Sequence, residues 1–311
     1  MEETIEIKDI KDLPHGENVT QKAGISPVEN GADYEIISRN KELEYIDYLN
    51  LSKALIISSE FFDVHSAAIV NHNTICSVAL GATDYNALEK LIESDPLSIA
   101  GATIGFSKEI TEETAKILKS MNIKNIIAPK FEKKAFSILL DTNINLVAVK
   151  TPLHEIQGFY AKDIKVTPLG ILIQEQNRNK LTKETFQVVS QIKPSQQQAE
   201  DGIFAWKISK HLKSNSAVIA KDLCTKAIIQ SQPDMVECVE KAMDKACENS
   251  KDGVLIIDSA IENQAVINAA IQGRIGLVIE AGDCKNSSNT VKSADKYGIS
   301  LIFTKIRNYK Y

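Results

Sequence analysis

The sequence is poor in cysteine, has no paired-cysteine motif and lacks any long apolar run. Its five cysteines are odd in number and widely spaced, which argues against a disulfide framework and against a multi-cysteine zinc site. No apolar run approaches the ~20 residues that a transmembrane helix needs. The start, MEETIEIKDIKD, also lacks the basic and apolar regions of a secretory signal. We therefore expect a protein of the reducing cytoplasm that has no membrane partner.

Charge and composition point to an ordinary globular protein. The 311 residues carry a net charge of -5, which gives no general attraction to nucleic acid. Hydrophobic residues make up 43% of the chain and charged residues 25%. This length suffices for two modest domains or one duplicated unit.

Short apolar runs alternate with helical patterns, which predicts an α/β fold. Thr111 followed by two glutamates is a plausible helix start, and Ser195 with Gln198 forms a capping-box pattern opening a helix toward Lys213. The predicted buried strands are Ala67–Val70, Asn125–Ala128, Leu146–Val149, Ile171–Ile173, Ala217–Ala220, Val254–Ile257, Leu277–Glu280 and Leu301–Thr304.

The sequence also contains a weak internal repeat, which we call the internal echo. MNIKNIIAPK, GRIGLVIEAG and YGISLIFTK each pass from a helix end into a strand, although such joints are common in α/β proteins. We expect an N-terminal extension over residues 1–12 and a first α/β half over 13–165. A bridging segment follows over 166–193, and a second half over 194–311.

The stretch AIVNHNTICSVA, Ala68–Ala79, carries the first candidate chemistry. An apolar strand runs into a polar turn that contains Asn71 and His72. Polar groups after a buried strand are expected at the carboxyl edge of an α/β sheet, where ligands usually bind. Histidine is the commonest general base near neutral pH, so His72 is a candidate base. Equally, it could do no more than cap backbone groups at the strand end.

Motifs in the last third are more specific. The run FAWKISKHLKSNSAVIAKD and the ending KYGISLIFTKIRNYKY resemble the formyltransferase domain of AICAR transformylase/IMP cyclohydrolase. That family shows KSNA, a short strand and AKDG, and ends near HGIAMVFTGVRHFRH. Upstream, LPHGENVTQKA is similar to its LRYGENPHQKA, and AIVNHNTICSVA to its VKHTNPCGVA. The motifs occur in order from about Leu13 onward, and their combination is strong evidence where each alone is weak.

The resemblance implies a duplicated cytidine-deaminase-like fold with two mixed-sheet α/β halves. It also implies a tight homodimer with active sites across the subunit interface. The small-molecule ligands would be a nucleotide, AICAR, and the co-substrate 10-formyltetrahydrofolate. The family's cyclohydrolase domain has no counterpart here, so that activity is not expected. Zinc is not expected, because the HxE and PCxxC elements of zinc deaminases are missing. Whether the family's potassium ion is kept stays open.

Catalytic roles carry over to three residues. The resemblance assigns His72 as the base that takes the proton of the weakly nucleophilic amine. Asn71 stands in place of the family's lysine and cannot carry a proton through the reaction. Asn215 matches the asparagine of SNA and would orient the amine or carboxamide.

The binding motifs are more altered. Pro14 and His15 replace the arginine and tyrosine of RYG, which removes a bidentate phosphate donor. The substrate contacts carried over are His15, Gly16, Asn18 and Gln21. Those for the folate are Gln232, Asp258, Asn263 and Gly282.

Several of these residues also have a purely structural interpretation. Asn215 could be a turn residue, and Asp258 could cap a helix beginning near Ser259. Lys210 and His211 are expected at a solvated helix end. Arg307 is expected in a salt bridge.

Three hypotheses remain open from the sequence. The chain is a divergent AICAR formyltransferase, or a non-catalytic paralogue that binds, regulates or dimerises. The third is an enzyme of the same scaffold that uses His15, His72 and Asp234 on another ligand.

Overall fold

The structure is a computed structural model that describes residues 7–28, 31–39, 42–159 and 162–311. It divides into two compact units. Unit 1 comprises Met1–Cys76, Gly81–Ile92 and Pro96–Gln176, and unit 2 comprises Ser77–Leu80, Glu93–Asp95 and Asn177–Tyr311. The boundaries expected from the sequence stay predictions. None of the helices in the described ranges is long and apolar enough to cross a membrane.

Unit 1 has a mixed sheet in which strand β5 neighbours β4, followed by β6, β7, β8 and β3. Strand β4 runs antiparallel to β6, whereas β6, β7 and β8 are parallel. Its strands are β1 (Lys11–Leu13), β2 (Ala23–Ile25), β3 (Tyr34–Ile36), β4 (His65–Asn71), β5 (Thr74–Gly81), β6 (Thr103–Phe106), β7 (Asn125–Ala128), β8 (Asn145–Val149), β9 (Lys162–Thr167) and β10 (Gly170–Glu175). Its helices are α1 (Tyr45–Ser59), α2 (Asp84–Ser94), α3 (Glu112–Ser120), α4 (Lys133–Leu140) and α5 (Leu153–Phe159).

Unit 2 repeats this arrangement. Its strands lie in the order β13, β12, β14, β15, β16 and β11, with β12 antiparallel to β14 and with β14, β15 and β16 parallel. The strands are β11 (Gln187–Val188), β12 (Ala217–Lys221), β13 (Cys224–Ile229), β14 (Val254–Ile257), β15 (Leu277–Glu280) and β16 (Ser300–Phe303). The helices are α6 (Gln196–Ser209), α7 (Met235–Ala246), α8 (Gln264–Gln272) and α9 (Ser287–Tyr297).

Each unit therefore runs helix, hairpin, helix, strand, helix, strand, helix, strand, with the same strand order. The α/β class is confirmed, and the internal echo reflects a repeated topology. The more detailed likeness to cytidine deaminases stays a prediction.

Local sequence signals account for many element boundaries. Thr111 caps α3 by accepting the Thr114 N–H, and Ser195 and Gln198 form the predicted capping box of α6. Gly298 ends α9 with a φ of 73°, a left-handed conformation that glycine adopts without strain. The α6 residues Phe204 and Ile208 lie in the core, as their spacing predicts.

Three expectations from the sequence were wrong. Helix α6 ends at Ser209 rather than near Lys213, and turn and bend residues follow it before β12 begins at Ala217. Lys210 is only 6% exposed, and its ammonium lies 5.5 Å from the centre of the Trp206 ring. Ile171–Ile173 is a strand, but every residue of β10 is exposed.

Candidate active site

The tip between β4 and β5 presents His72. His72 and Asn73 have φ values of 48° and 55°, the pair of left-handed residues that closes a two-residue hairpin. The Asn71 side chain braces this turn at both ends. Its amide donates to the Ala100 carbonyl at 3.1 Å, and its oxygen accepts the His72 N–H at 3.0 Å.

Helix α1 holds the other side of the tip. The Asn50 side chain accepts the Asn73 N–H at 2.7 Å, and the Lys53 ammonium donates to the Asn73 carbonyl at 2.6 Å. His72 itself is exposed, and its ring makes no hydrogen bond within the described part of the chain. The scaffold thus fixes the backbone of His72 and leaves its imidazole available.

The expected position of this tip was wrong. Val70 pairs with Thr103, the first residue of β6, because β4 runs antiparallel to β6. Asn71 and His72 therefore lie at the edge where the parallel strands of unit 1 begin, not at their carboxyl edge. Hydrophobic periodicity does not reveal strand direction, so the sequence pattern alone could not show this.

The predicted substrate loop connects β1 to β2. Gly16 N–H donates to the Gln21 carbonyl at 2.8 Å, and the Gln21 side-chain oxygen accepts from the backbone and the amide of Asn18. The His15 ring contacts the Gly16 carbonyl at 2.8 Å. These bonds close within the loop, and in the described residues no hydrogen bond joins it to His72. Beside it lies a cavity of about 320 Å³ that Lys11, Pro14 and Tyr48 help to line.

In unit 2 the structure brings Asn215 and Gln232 together. The Asn215 amide donates to the carbonyls of Gln232 at 2.9 Å and Pro233 at 3.2 Å. The Gln232 side chain accepts from Lys241 at 2.7 Å and donates to the Gln230 carbonyl. The Asn215 carboxamide thus binds the segment leading into α7. Its interpretation as a turn residue stays a prediction.

Asp258 lies next to this pair and is 1% exposed. One carboxylate oxygen accepts from the backbone and the hydroxyl of Ser216 at 3.0 and 3.1 Å. The other, Oδ1, has no partner among the described residues. Burial raises the pKa of Asp258, and the hydrogen bonds from the neighbouring serines oppose that effect. The expectation that Asp258 caps a helix was wrong, because α8 begins later and Asn263 caps it by accepting the Ala265 N–H.

A second buried carboxylate, Glu280, follows on the next strand. Its Oε2 accepts the N–H groups of Ile261 at 2.6 Å and Gly282 at 3.3 Å, while Oε1 has no partner in the described structure. Burial raises the pKa of Glu280. Sequence reasoning missed this residue, although a glutamate ending the apolar run LVIE was a visible signal. Gly282 adopts a φ of 68° against the ring of Phe303.

Asp234 and Arg307 both hydrogen bond to residues of unit 2. Asp234 caps α7 by accepting the N–H groups of Val236 and Glu237 at 2.9 and 3.1 Å. Arg307 forms the expected salt bridge, a two-pronged pair with Asp283 at 2.7 and 2.9 Å. That pairing lowers the pKa of Asp283.

A cavity in unit 1 that the sequence did not indicate has a volume of about 570 Å³. Aliphatic side chains of α1, β7 and β8 line it together with Tyr34 and Tyr48. Burial raises the pKa of Tyr48 to about 12, so its phenol is neutral. None of the predicted site residues lines this cavity.

Comparisons with known proteins identify the family. A family model described as AICARFT/IMPCHase bienzyme matches residues 1–245. The bifunctional purine biosynthesis protein PurH of Caldicellulosiruptor saccharolyticus is 33% identical over 316 residues, covering 99% of this chain and 60% of that protein. PurH of Fusobacterium nucleatum is 35% identical, covering 99% of this chain and 60% of that protein.

The chain thus spans about 60% of the length of these curated relatives. Among solved structures, Acinetobacter baumannii RibD matches with a TM-score of 0.26 and 10% identity over 82% of this chain and 71% of that one. On the strength of the family match, this chain belongs to the AICARFT/IMPCHase bienzyme family.

Proposed function

We propose that this chain is a formyltransferase of purine biosynthesis that moves a formyl group from 10-formyltetrahydrofolate to the amine of AICAR. The observation that carries the proposal is the state of His72. It is exposed at a rigid tip, and its imidazole makes no hydrogen bond in the described structure, while the turn around it is fully braced. An imidazole held this way can take up the proton that the amine loses on attacking the formyl carbon. It can then return that proton to the folate nitrogen as the bond from this nitrogen to the formyl carbon breaks.

Lys53 compensates for the lysine that Asn71 replaces. Its ammonium donates to the Asn73 carbonyl at 2.6 Å, which places a positive charge one residue from His72. A cation there favours the tetrahedral oxyanion that forms when the amine adds to the formyl group. Asn71 then acts as a positioning residue, since both ends of its side chain are bound within the turn.

The binding residues would act mainly through the shape of their loops. His15, Gly16, Asn18 and Gln21 would contact the nucleotide beside the cavity that Lys11 helps to line. Gln232, Asp258, Asn263 and Gly282 would shape the folate site in unit 2, where Asn215 would orient the substrate. Because the family's active sites lie across a subunit interface, we propose a cytoplasmic homodimer as the working form.

The test is a formyl-transfer assay on the full chain, with His72→Ala compared with Asp222→Ala. Asp222 occupies the same position in the hairpin tip of unit 2, also with a positive φ of 57°. A general base contributes typically 10²–10⁴-fold, so His72→Ala should lose at least about 100-fold in turnover. Asp222→Ala should keep turnover within about threefold. Equal losses in the two variants would contradict the proposed role of His72.

The second candidate is a non-catalytic member of the family, and one observation favours it. Several of the predicted site residues have structural roles: Asn18 hydrogen bonds within its own loop, Asn215 binds the segment before α7, and Asn263 caps α8. Such residues would persist to keep the fold even if catalysis were lost. Calorimetric titration with AICAR and with a folate analogue separates the two. Absence of binding to both at millimolar concentration would favour the non-catalytic candidate.

A further inference from the structure

The β9–β10 hairpin of unit 1 has an amphipathic pattern. Its register places Ile164 opposite Ile173 and Val166 opposite Ile171. Because side chains alternate between the faces of a strand, these four aliphatic side chains share one face of the hairpin. We call this surface, Ile164, Val166, Ile171 and Ile173, the aliphatic face.

The opposite face is polar. Asp163 accepts from Lys165 on its own strand and from the Gln174 amide at 2.9 Å across the hairpin. Leu172 stands opposite Lys165 on this side. One face is therefore occupied by its own polar contacts, and the other has the composition of a sheet surface that normally packs on a core.

Three of the four residues of the aliphatic face are exposed, and Ile164 is half-buried. Val166 is 83% exposed, Ile171 64% and Ile173 51%, and Leu169 at the turn is fully exposed. The two strands form a sheet of their own. An isolated two-stranded hairpin is at best marginally stable in water, so this element needs a surface that covers it.

We propose that the aliphatic face of β9–β10 packs against the same face of a second copy of this chain. The four face residues and Leu169 offer roughly 350 Å² of apolar area, taking roughly 60–120 Å² for each fully buried aliphatic side chain. A two-fold contact buries that patch once in each copy, roughly 700 Å² in all. A specific interface near the lower size limit of about 1,200 Å² carries about that much apolar area.

The charges around the face also fit a second copy. Lys162, Asp163, Lys165 and Glu175 supply two charges of each sign over the two strands. This balance selects neither a basic nor an acidic partner, and it offers no basic patch to an anionic membrane. A self-complementary aliphatic contact requires no charge selection.

The proposal concerns the second copy of the proposed homodimer and does not depend on formyl transfer. A catalytically inert protein that dimerises through this face would refute the proposed reaction but support the proposed interface. A monomeric protein that catalyses formyl transfer would refute the proposed interface but support the reaction.

Two neighbouring residues of β10 give a matched test by analytical ultracentrifugation of the full chain. Ile173 and Leu172 are 51% and 61% exposed and point to opposite faces. Ile173→Asp should raise the dimer dissociation constant at least 100-fold, whereas Leu172→Asp should change it by less than threefold. A monomeric wild-type chain, or equal effects of the two variants, would overturn the proposal.

A measurement on the unaltered chain guards against misfolded variants. Amide hydrogen exchange in β9 and β10 should slow at least tenfold between protein concentrations well below and well above the dimer dissociation constant. Exchange there that is independent of concentration, while the protein dimerises, would place the interface elsewhere and refute the assignment.

Discussion

The two units share one topology and differ in where they place buried acids. Ala67 pairs with Phe106 in unit 1 as Ala217 pairs with Ile257 in unit 2, so Ser107 and Asp258 occupy equivalent positions. The Ser107 N–H donates to the Ser66 carbonyl, and the Asp258 N–H donates to the Ser216 carbonyl, both at 3.3 Å. In return, the Ser107 side chain accepts the Ser66 N–H at 2.8 Å, and the Asp258 side chain accepts the Ser216 N–H at 3.0 Å.

At two further equivalent positions, unit 2 has an acidic residue where unit 1 has a neutral one. Asn50 is the sixth residue of α1 and Asp201 the sixth of α6, and each accepts N–H groups of its hairpin tip. Glu280 matches Ala128 at the end of the equivalent parallel strand. Since unit 1 keeps the fold with neutral groups, the acids of unit 2 are not required by the topology. At these positions unit 2 therefore has buried carboxyl groups that either serve another chemistry or lower the free energy of unfolding.

The largest expected effect tests how differently the units surround a left-handed glycine. Gly282 has a φ of 68°, and an added Cβ would lie 2.1 Å from the Phe303 ring. Gly101 in unit 1 has nearly the same φ, 71°, with no heavy atom within 4 Å of such a Cβ. Gly282→Ala should therefore lower the free energy of unfolding by about 3–4 kcal/mol, and Gly101→Ala by about 1 kcal/mol. Urea denaturation measures both, and equal losses would show that Phe303 moves aside freely.

The next prediction compares the two hairpin tips. Asp201 accepts the N–H groups of Asp222 at 3.1 Å and Leu223 at 2.7 Å, whereas Asn50 accepts only that of Asn73. Asp201→Ala leaves two backbone donors without their charged acceptor and should cost about 3 kcal/mol of unfolding free energy. Asn50→Ala should cost about 1 kcal/mol. A larger loss of unfolding free energy in Asn50→Ala than in Asp201→Ala would mean that Asp201 does not stabilise its hairpin tip more than Asn50 does.

A smaller, pH-dependent effect tests Glu280. Burial raises its pKa, so the folded protein holds this proton more tightly than the unfolded chain. The stability it brings is complete below the ordinary pKa of glutamate and is lost as the pH rises through the folded pKa. Glu280→Gln has no such proton, so its unfolding free energy relative to wild type should rise by about 1 kcal/mol between pH 5 and pH 8.

The exposed Glu262 of the adjoining loop supplies the control for that experiment. Glu262→Gln should leave the pH dependence of the unfolding free energy as it is in the wild type. A flat difference between Glu280→Gln and wild type over this pH range would show that the buried carboxylate ionises without cost. The effect of burial inferred for Glu280 would then be wrong.

Sequence reasoning succeeded where the cause is local. The strands Asn125–Ala128 and Val254–Ile257 are confirmed to the residue, because apolar runs bounded by turns report buried strands. It failed where the cause is a distant partner. The edge at which His72 lies depends on the antiparallel pairing of β4 with β6. The equivalence of Ser107 and Asp258 depends on register, which no single segment of the sequence contains.

The smallest expected effect lies at the hairpin tip that carries His72. Asn71 and Lys221 occupy equivalent positions in the two hairpins. The Asn71 amide donates to the Ala100 carbonyl, just before β6, at 3.1 Å, and the Lys221 ammonium donates to the Lys251 carbonyl, just before β14, at 2.9 Å. Asn71→Lys should therefore keep this contact and change the unfolding free energy by less than about 0.5 kcal/mol. Turnover in the formyl-transfer assay should rise by less than tenfold, because Lys53 already places a cation at the tip.

The loop at Pro14 would still lack a guanidinium for the phosphate, whichever residue stands at position 71. A rise well above tenfold would show that a lysine beside His72 is the missing component. The difference between the two tips would then be catalytic, and Lys53 would not be its replacement. An unchanged rate together with unchanged stability would instead show that asparagine and lysine are interchangeable braces of the same turn.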